Sequence, residues 1–143
     1  MTDIETARKL LESKDCSVVL CKECKTIEKF SRGIAPLMEI IDSGEDVSGF
    51  SAADKIVGKA AAMLFSYMNI KEVYGEVMSR LGYEYLCSKN IPATYTTLTE
   101  NIINRKGDGI CPMEKTVTDI IDERFAVEAL RQKIFELKSN IGE

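Results

Sequence analysis

Residues 107–119 read Gly-Asp-Gly-Ile-Cys-Pro-Met-Glu-Lys-Thr-Val-Thr-Asp, a glycine-spaced loop that leads into a thiol, a proline and a carboxylate. A cysteine at a helix N-terminus can have a lowered pKa and act as a nucleophile or ligand contact, which makes Cys111 a candidate catalytic residue. The same residues also form a sound helix start, with Cys111 as cap, Pro112 at the first helical position and Glu114 at the third. The chain has no histidine. The commonest zinc ligand and the commonest general base are therefore missing, and a base for Cys111 would have to be a lysine, a carboxylate or water.

Asp54, Lys55 and Lys59 form a second polar cluster, whose default reading is a solvated capping face. Lys55 and Arg80, each expected near a helix N-terminus, would concentrate positive potential beside backbone N–H donors, as phosphate and carboxylate sites do. Ser79 precedes Arg80, and Asn104 and Arg105, followed by Gly107 and Gly109, could fold over such a pocket. The candidate ligand-binding set is thus Lys55, Ser79, Arg80, Asn104, Arg105 and Cys111. The candidate catalytic set is Cys111, Lys55, Asp54 and Glu114. For Arg32 the simpler expectation is that it anchors the hairpin to the next helix.

Cysteines 16, 21, 24, 87 and 111 are odd in number and irregularly spaced, which points to reduced thiols. Cys21 and Cys24 have the C-x-x-C spacing of half a metal knuckle or a redox pair. They lack a second ligand pair, and redox motifs normally open a helix after a strand. The 143 residues suit one domain spanning 1–143. A net charge of −4 gives no general attraction to nucleic acid or anionic lipid. No apolar run approaches the ~20 residues that span a bilayer, and no signal-peptide pattern opens the chain. A cytoplasmic, soluble protein with no membrane or nucleic-acid partner is expected.

The elements that must position these side chains follow from periodicity. Ile4, Ala7, Leu10 and Leu11 recur at helical spacing after Thr2 or Asp3 as cap. The runs CSVVLC and TIEKF predict a hairpin. Pro36 and Gly44 bracket a helix from about Ala35 to Asp42. Ser51 with Asp54 three residues on is an S-x-x-D capping pattern, and predicts a helix from Ser51 to about Met68. KEVYGEVM and IPATYTTL, joined by a short helix ending near Asn90, predict parallel strands of a βαβ unit. Val117, Ile120, Ile121, Val127, Leu130, Ile134 and Leu137 share one face of a terminal helical region. If that stripe exceeds what one sheet face covers, it suggests a homo-oligomer. The sum is an α/β domain with a mixed sheet of about four strands flanked by helices.

The element order is similar to that of the cytidine deaminase-like fold, with three layers. RGIAPLMEII, ADKIVGKAAAM and NRKGDGICPMEK resemble signature stretches of the family known as domain of unknown function 1893, from Ser17 to about Asp122. The resemblance implies that fold and no established activity. Zinc deaminases carry H-A-E or C-A-E at the start of the helix after the hairpin and P-C-x-x-C at the start of the next strand-connected helix. Here the corresponding stretches are sought at Asp54 and Lys55, and at Met78, Ser79, Arg80 and Leu81. Neither contains a cysteine or histidine, so no zinc site, metal or cofactor is expected. Two function classes fit: a zinc-free binding module for a nucleotide or nucleotide-derived anionic ligand, and a metal-independent enzyme built on Asp54, Lys55, Cys111 and Glu114.

Overall fold

The computed structural model describes residues 1–141. Helix α1 (Asp3–Ser13) begins with a reciprocal capping box between Thr2 and Glu5, and buries Ala7 and Leu11. Strands β1 (Val18–Lys22) and β2 (Lys25–Lys29) form the expected hairpin, turning through Glu23 with φ +57°. Helix α2 (Ala35–Ser43) carries Pro36 in its first turn and ends on the left-handed Gly44.

The next segment differs from expectation. Ser51–Val57 is a strand, β3, and helix α3 runs only from Lys59 to Tyr67. Ser51 caps nothing; its hydroxyl donates to Glu72 at 2.6 Å. Tertiary pairing overrides the alanine-rich, helix-favouring local sequence. β3 pairs antiparallel with β1 and parallel with β4 (Glu72–Ser79), and its small Ala52 and Ala53 let helices pack on both faces. The βα turn falls at Gly58. This strand is the difference between about four strands and the five observed.

Helix α4 (Arg80–Ser88) and β5 (Ala93–Thr99) complete the expected βαβ unit, with β4 and β5 parallel. The sheet order is β2-β1-β3-β4-β5. The terminal helical region is two helices, α5 (Pro112–Val117) and α6 (Glu123–Ile141). The break arises because the Asp122 carboxylate accepts the Arg124 N–H at 2.8 Å, starting a new helix. Ile121 falls in the connection and is exposed, off the apolar face proposed for it.

Helix α1 covers one face of the sheet through a small core of Ala7, Leu11, Cys16, Val19, Cys21, Ala53 and Tyr74. The main core lies on the other face, where Phe65, Met63 and Leu64 of α3 are fully buried among residues of α2, α4, α5 and α6. Burying each such side chain contributes ~1.5–3 kcal/mol. Strands β3, β4 and β5 all run the same way, so their carboxyl ends form one rim. Helices α3 and α4 start at that rim.

Candidate functional site

The two helix starts touch. A Cβ built on Gly82 would lie 2.8 Å from the carbonyl carbon of Gly58 and 2.9 Å from its oxygen, so only glycine permits the approach. Ser79 caps α4 by accepting the Gly82 N–H at 3.0 Å. Gly58 precedes α3 without a side-chain cap of its own. That function is supplied from 55 residues away, by Glu114 on α5. Its carboxylate accepts the Lys59 N–H at 2.7 Å and the Ala60 N–H at 2.9 Å. A Cβ on Gly58 would lie 2.2 Å from Glu114 Oε1, so the missing side chain makes the seat for the carboxylate. Burial raises the Glu114 pKa, and the two N–H bonds oppose that rise. Lys59 Nζ closes the arrangement by donating to the Thr118 carbonyl at 3.1 Å.

Residues between β5 and α5 form a small flap. The Cys111 N–H donates to the Ile102 carbonyl at 2.9 Å, the Asn104 N–H donates to the Gly109 carbonyl at 2.8 Å, and Ile103 bridges Ile110. Asn104 and Asp108 hydrogen-bond across its tip, with Gly107 at φ +76°. Between flap and helix starts lies a cleft of about 130 Å³. Lys59, Ser79, Asn101 and Thr118 give it polar groups, Glu100 and Glu114 carboxylates, and Leu81, Ile102 and Ile110 apolar walls.

The structure gathers some of the sequence-predicted residues here and separates others. Ser79 and Glu114 line the cleft. Arg80 begins α4 beside it, with its guanidinium paired to Glu84 at 2.6 Å and Glu100 at 2.9 Å. Asn104 and exposed Arg105 sit at the flap tip. Cys111 is half-buried at the flap base, and precedes α5 as its N-cap residue, but its thiol makes no capping bond.

Asp54 and Lys55 do not join them. Successive strand residues point to opposite faces. Asp54 is the partner of Val18, a main-core residue, whereas Lys55 pairs with Asp15 in the α1–β1 connection. Neither begins a helix, because α3 starts four residues after Lys55. The catalytic grouping of Asp54, Lys55, Cys111 and Glu114 is therefore not assembled. Asp54 is almost wholly buried, and burial pushes its pKa up to about 8 against the opposing N–H bonds of Ile56 and Lys55. It is a structural acid, mostly protonated at neutral pH. Lys59 and Gly58 are the residues that periodicity undervalued. A lone glycine before an apolar helix was their signal, and nothing local announced Glu114 as its distant partner.

A zinc site can be tested on these residues. The helix starts carry Gly58, Lys59 and Ala60, and Ser79, Arg80 and Gly82. None offers the thiolate or imidazole that zinc prefers, and Glu114 fills the space against Gly58. Among the described residues no group of three or more His, Cys, Asp or Glu side chains is placed to hold a metal. The residues do not fit zinc. Cys21 is buried against Asp3 and the Glu23 carbonyl, while Cys24 is exposed in the hairpin turn.

The profile of the family described as Domain of unknown function (DUF1893) matches residues 6–134. The chain belongs to the DUF1893 family. Its fold is similar to that of a DUF1893 family protein from Thermotoga maritima, known from a crystal structure, with a TM-score of 0.85 and 24% identity over 92% of this chain and 89% of that one. No curated protein matches the chain. No helix among the described residues is long and apolar enough to cross a membrane.

Proposed function

We propose that this DUF1893 chain is a zinc-free binding module, on a deaminase-like scaffold, for a nucleotide or nucleotide-derived anionic ligand. The observation that carries the reading is the cleft at the shared rim of β3, β4 and β5, walled by Leu81, Ile102 and Ile110 and floored by Lys59 and Ser79. Ligands of open α/β sheets dock at such carboxyl-end crevices. The apolar walls suit a base or sugar face, and Lys59 is the cation that lines the cleft, while Arg80, paired with Glu84 and Glu100, reaches a phosphate only by exchanging those partners. The strand order, with an antiparallel hairpin followed by three parallel strands, is consistent with the deaminase-like scaffold. The free cysteines support a reducing, cytoplasmic setting within the same reading.

At about 130 Å³ the cleft is smaller than the roughly 300–1,000 Å³ of ordinary small-molecule pockets, so the reading requires the flap to move outward when ligand binds. Calorimetric titration with mono- and dinucleotides tests the proposal. Arg105→Ala should weaken binding about tenfold with little change in melting temperature, since Arg105 is exposed. Lys55→Ala should leave affinity unchanged, because Lys55 serves the α1 layer. Equal loss from both substitutions, or heats of dilution alone with every nucleotide, would refute it.

A further inference from the structure

The outer part of the flap, residues 102–111, is joined to the body by few contacts of its own. Its backbone bonds close on itself, joining residues 102 to 111 and 104 to 109. Ile103 and Ile110 remain 54% and 37% exposed, so apolar burial holds the outer flap weakly, and the apolar anchor is Met113 at its base, packed against the main core. Where it continues into α5, Val117 is sunk in the main core and makes a natural hinge. Between hinge and flap stands Glu114, with two charge-assisted bonds to the first two amides of α3. Its seat is shaped for it, since any side chain on Gly58 would occupy the carboxylate's position.

We infer that Glu114 is a pin that holds a strap, residues 101–114, shut across the rim, and that the Gly58 seat is the catch. With the pin seated, the α3 amides are satisfied from within and the cleft stays narrow. With it withdrawn, the strap swings on Val117, exposing Lys59, the α3 amides and the floor of the cleft together. The pin is thus a conformational switch built from one carboxylate and one absent methyl group. It governs access to the rim of the proposed site, but its test involves no ligand, so a failure of the ligand reading leaves it standing.

Two substitutions act on opposite halves of the catch. Glu114→Ala removes the pin. Gly58→Ala fills the seat while leaving α5 untouched, and the backbone there is extended (φ −98°, ψ −171°), so alanine adds no local strain. Native-state hydrogen exchange of the full chain reads the result. A two-stranded flap this short does not keep its bonds once detached from the body. The Asn104 and Cys111 amides should therefore exchange about tenfold faster or more in each variant, the change produced by losing about 1.4 kcal/mol of closing free energy. Amides of β3 and β4 should keep their protection. The double variant should open no further than Glu114→Ala alone, because the two changes break one contact. Unchanged exchange in the strap, a rise spread evenly over the β3 and β4 amides, or additive effects in the double variant would each overturn the inference.

Discussion

Asp54 shows how a carboxylate can look catalytic and be structural. Its neighbours in sequence, Lys55 and Lys59, suggest a polar face, yet strand alternation turns Asp54 inward among apolar residues. Because burial raises its pKa to about 8, the native chain holds a proton that the unfolded chain releases above about pH 4. Stability therefore falls as pH rises from about 4 to about 8, by up to about 1.4 kcal/mol per pH unit from this group. Asp54→Asn should flatten that slope, which urea unfolding at pH 5, 6.5 and 8 measures. An identical slope in variant and parent would assign the titration elsewhere. At Cys111 the expectation concerns a neutral swap: Cys111→Ser should fold and bind as the parent does, since the thiol caps nothing and serine is a good residue before a helix. Loss of a covalent reaction on that change would instead favour the enzyme.

Among the elements, the starts of α3 and α4 decide the site, and they are held by contacts of unequal legibility. Ser79 before Arg80 is a local cap that sequence reading finds. The Gly58–Gly82 approach is not local, because it depends on two strands lying side by side in register. Gly82→Ala should cost on the order of 2 kcal/mol, as its Cβ meets rigid backbone that has no room to give way. A fall in melting temperature, with Ser79→Ala costing about 1 kcal/mol for comparison, checks the ranking. The hairpin, α2, α4, β4 and β5 were all readable from alternation, proline and glycine placement. β3 was not, since S-x-x-D and its alanines satisfy helical rules and the strand is chosen by its two neighbours. Glu114 was legible as a favourable early residue of α5. Its service to α3 was hidden because the partner lies 55 residues earlier.

At the scale of the whole molecule, the fold brings the carboxyl ends of three parallel strands to one rim, and the residues on it are unsuited to zinc. Purified without chelator, the chain should contain well under one zinc per molecule, and it should not deaminate cytidine or adenosine. Elemental analysis and a spectroscopic deaminase assay measure both. The account's central claim is that an anionic, nucleotide-derived ligand docks between the flap and the starts of α3 and α4. Amide chemical-shift mapping during titration with adenosine diphosphate tests it most directly. The account predicts saturable shifts concentrated at Lys59, Leu81, Asn101, Ile102 and Ile110, with none at Lys55 or along α1. Shifts centred on the α1 face, or none up to millimolar nucleotide, would contradict it.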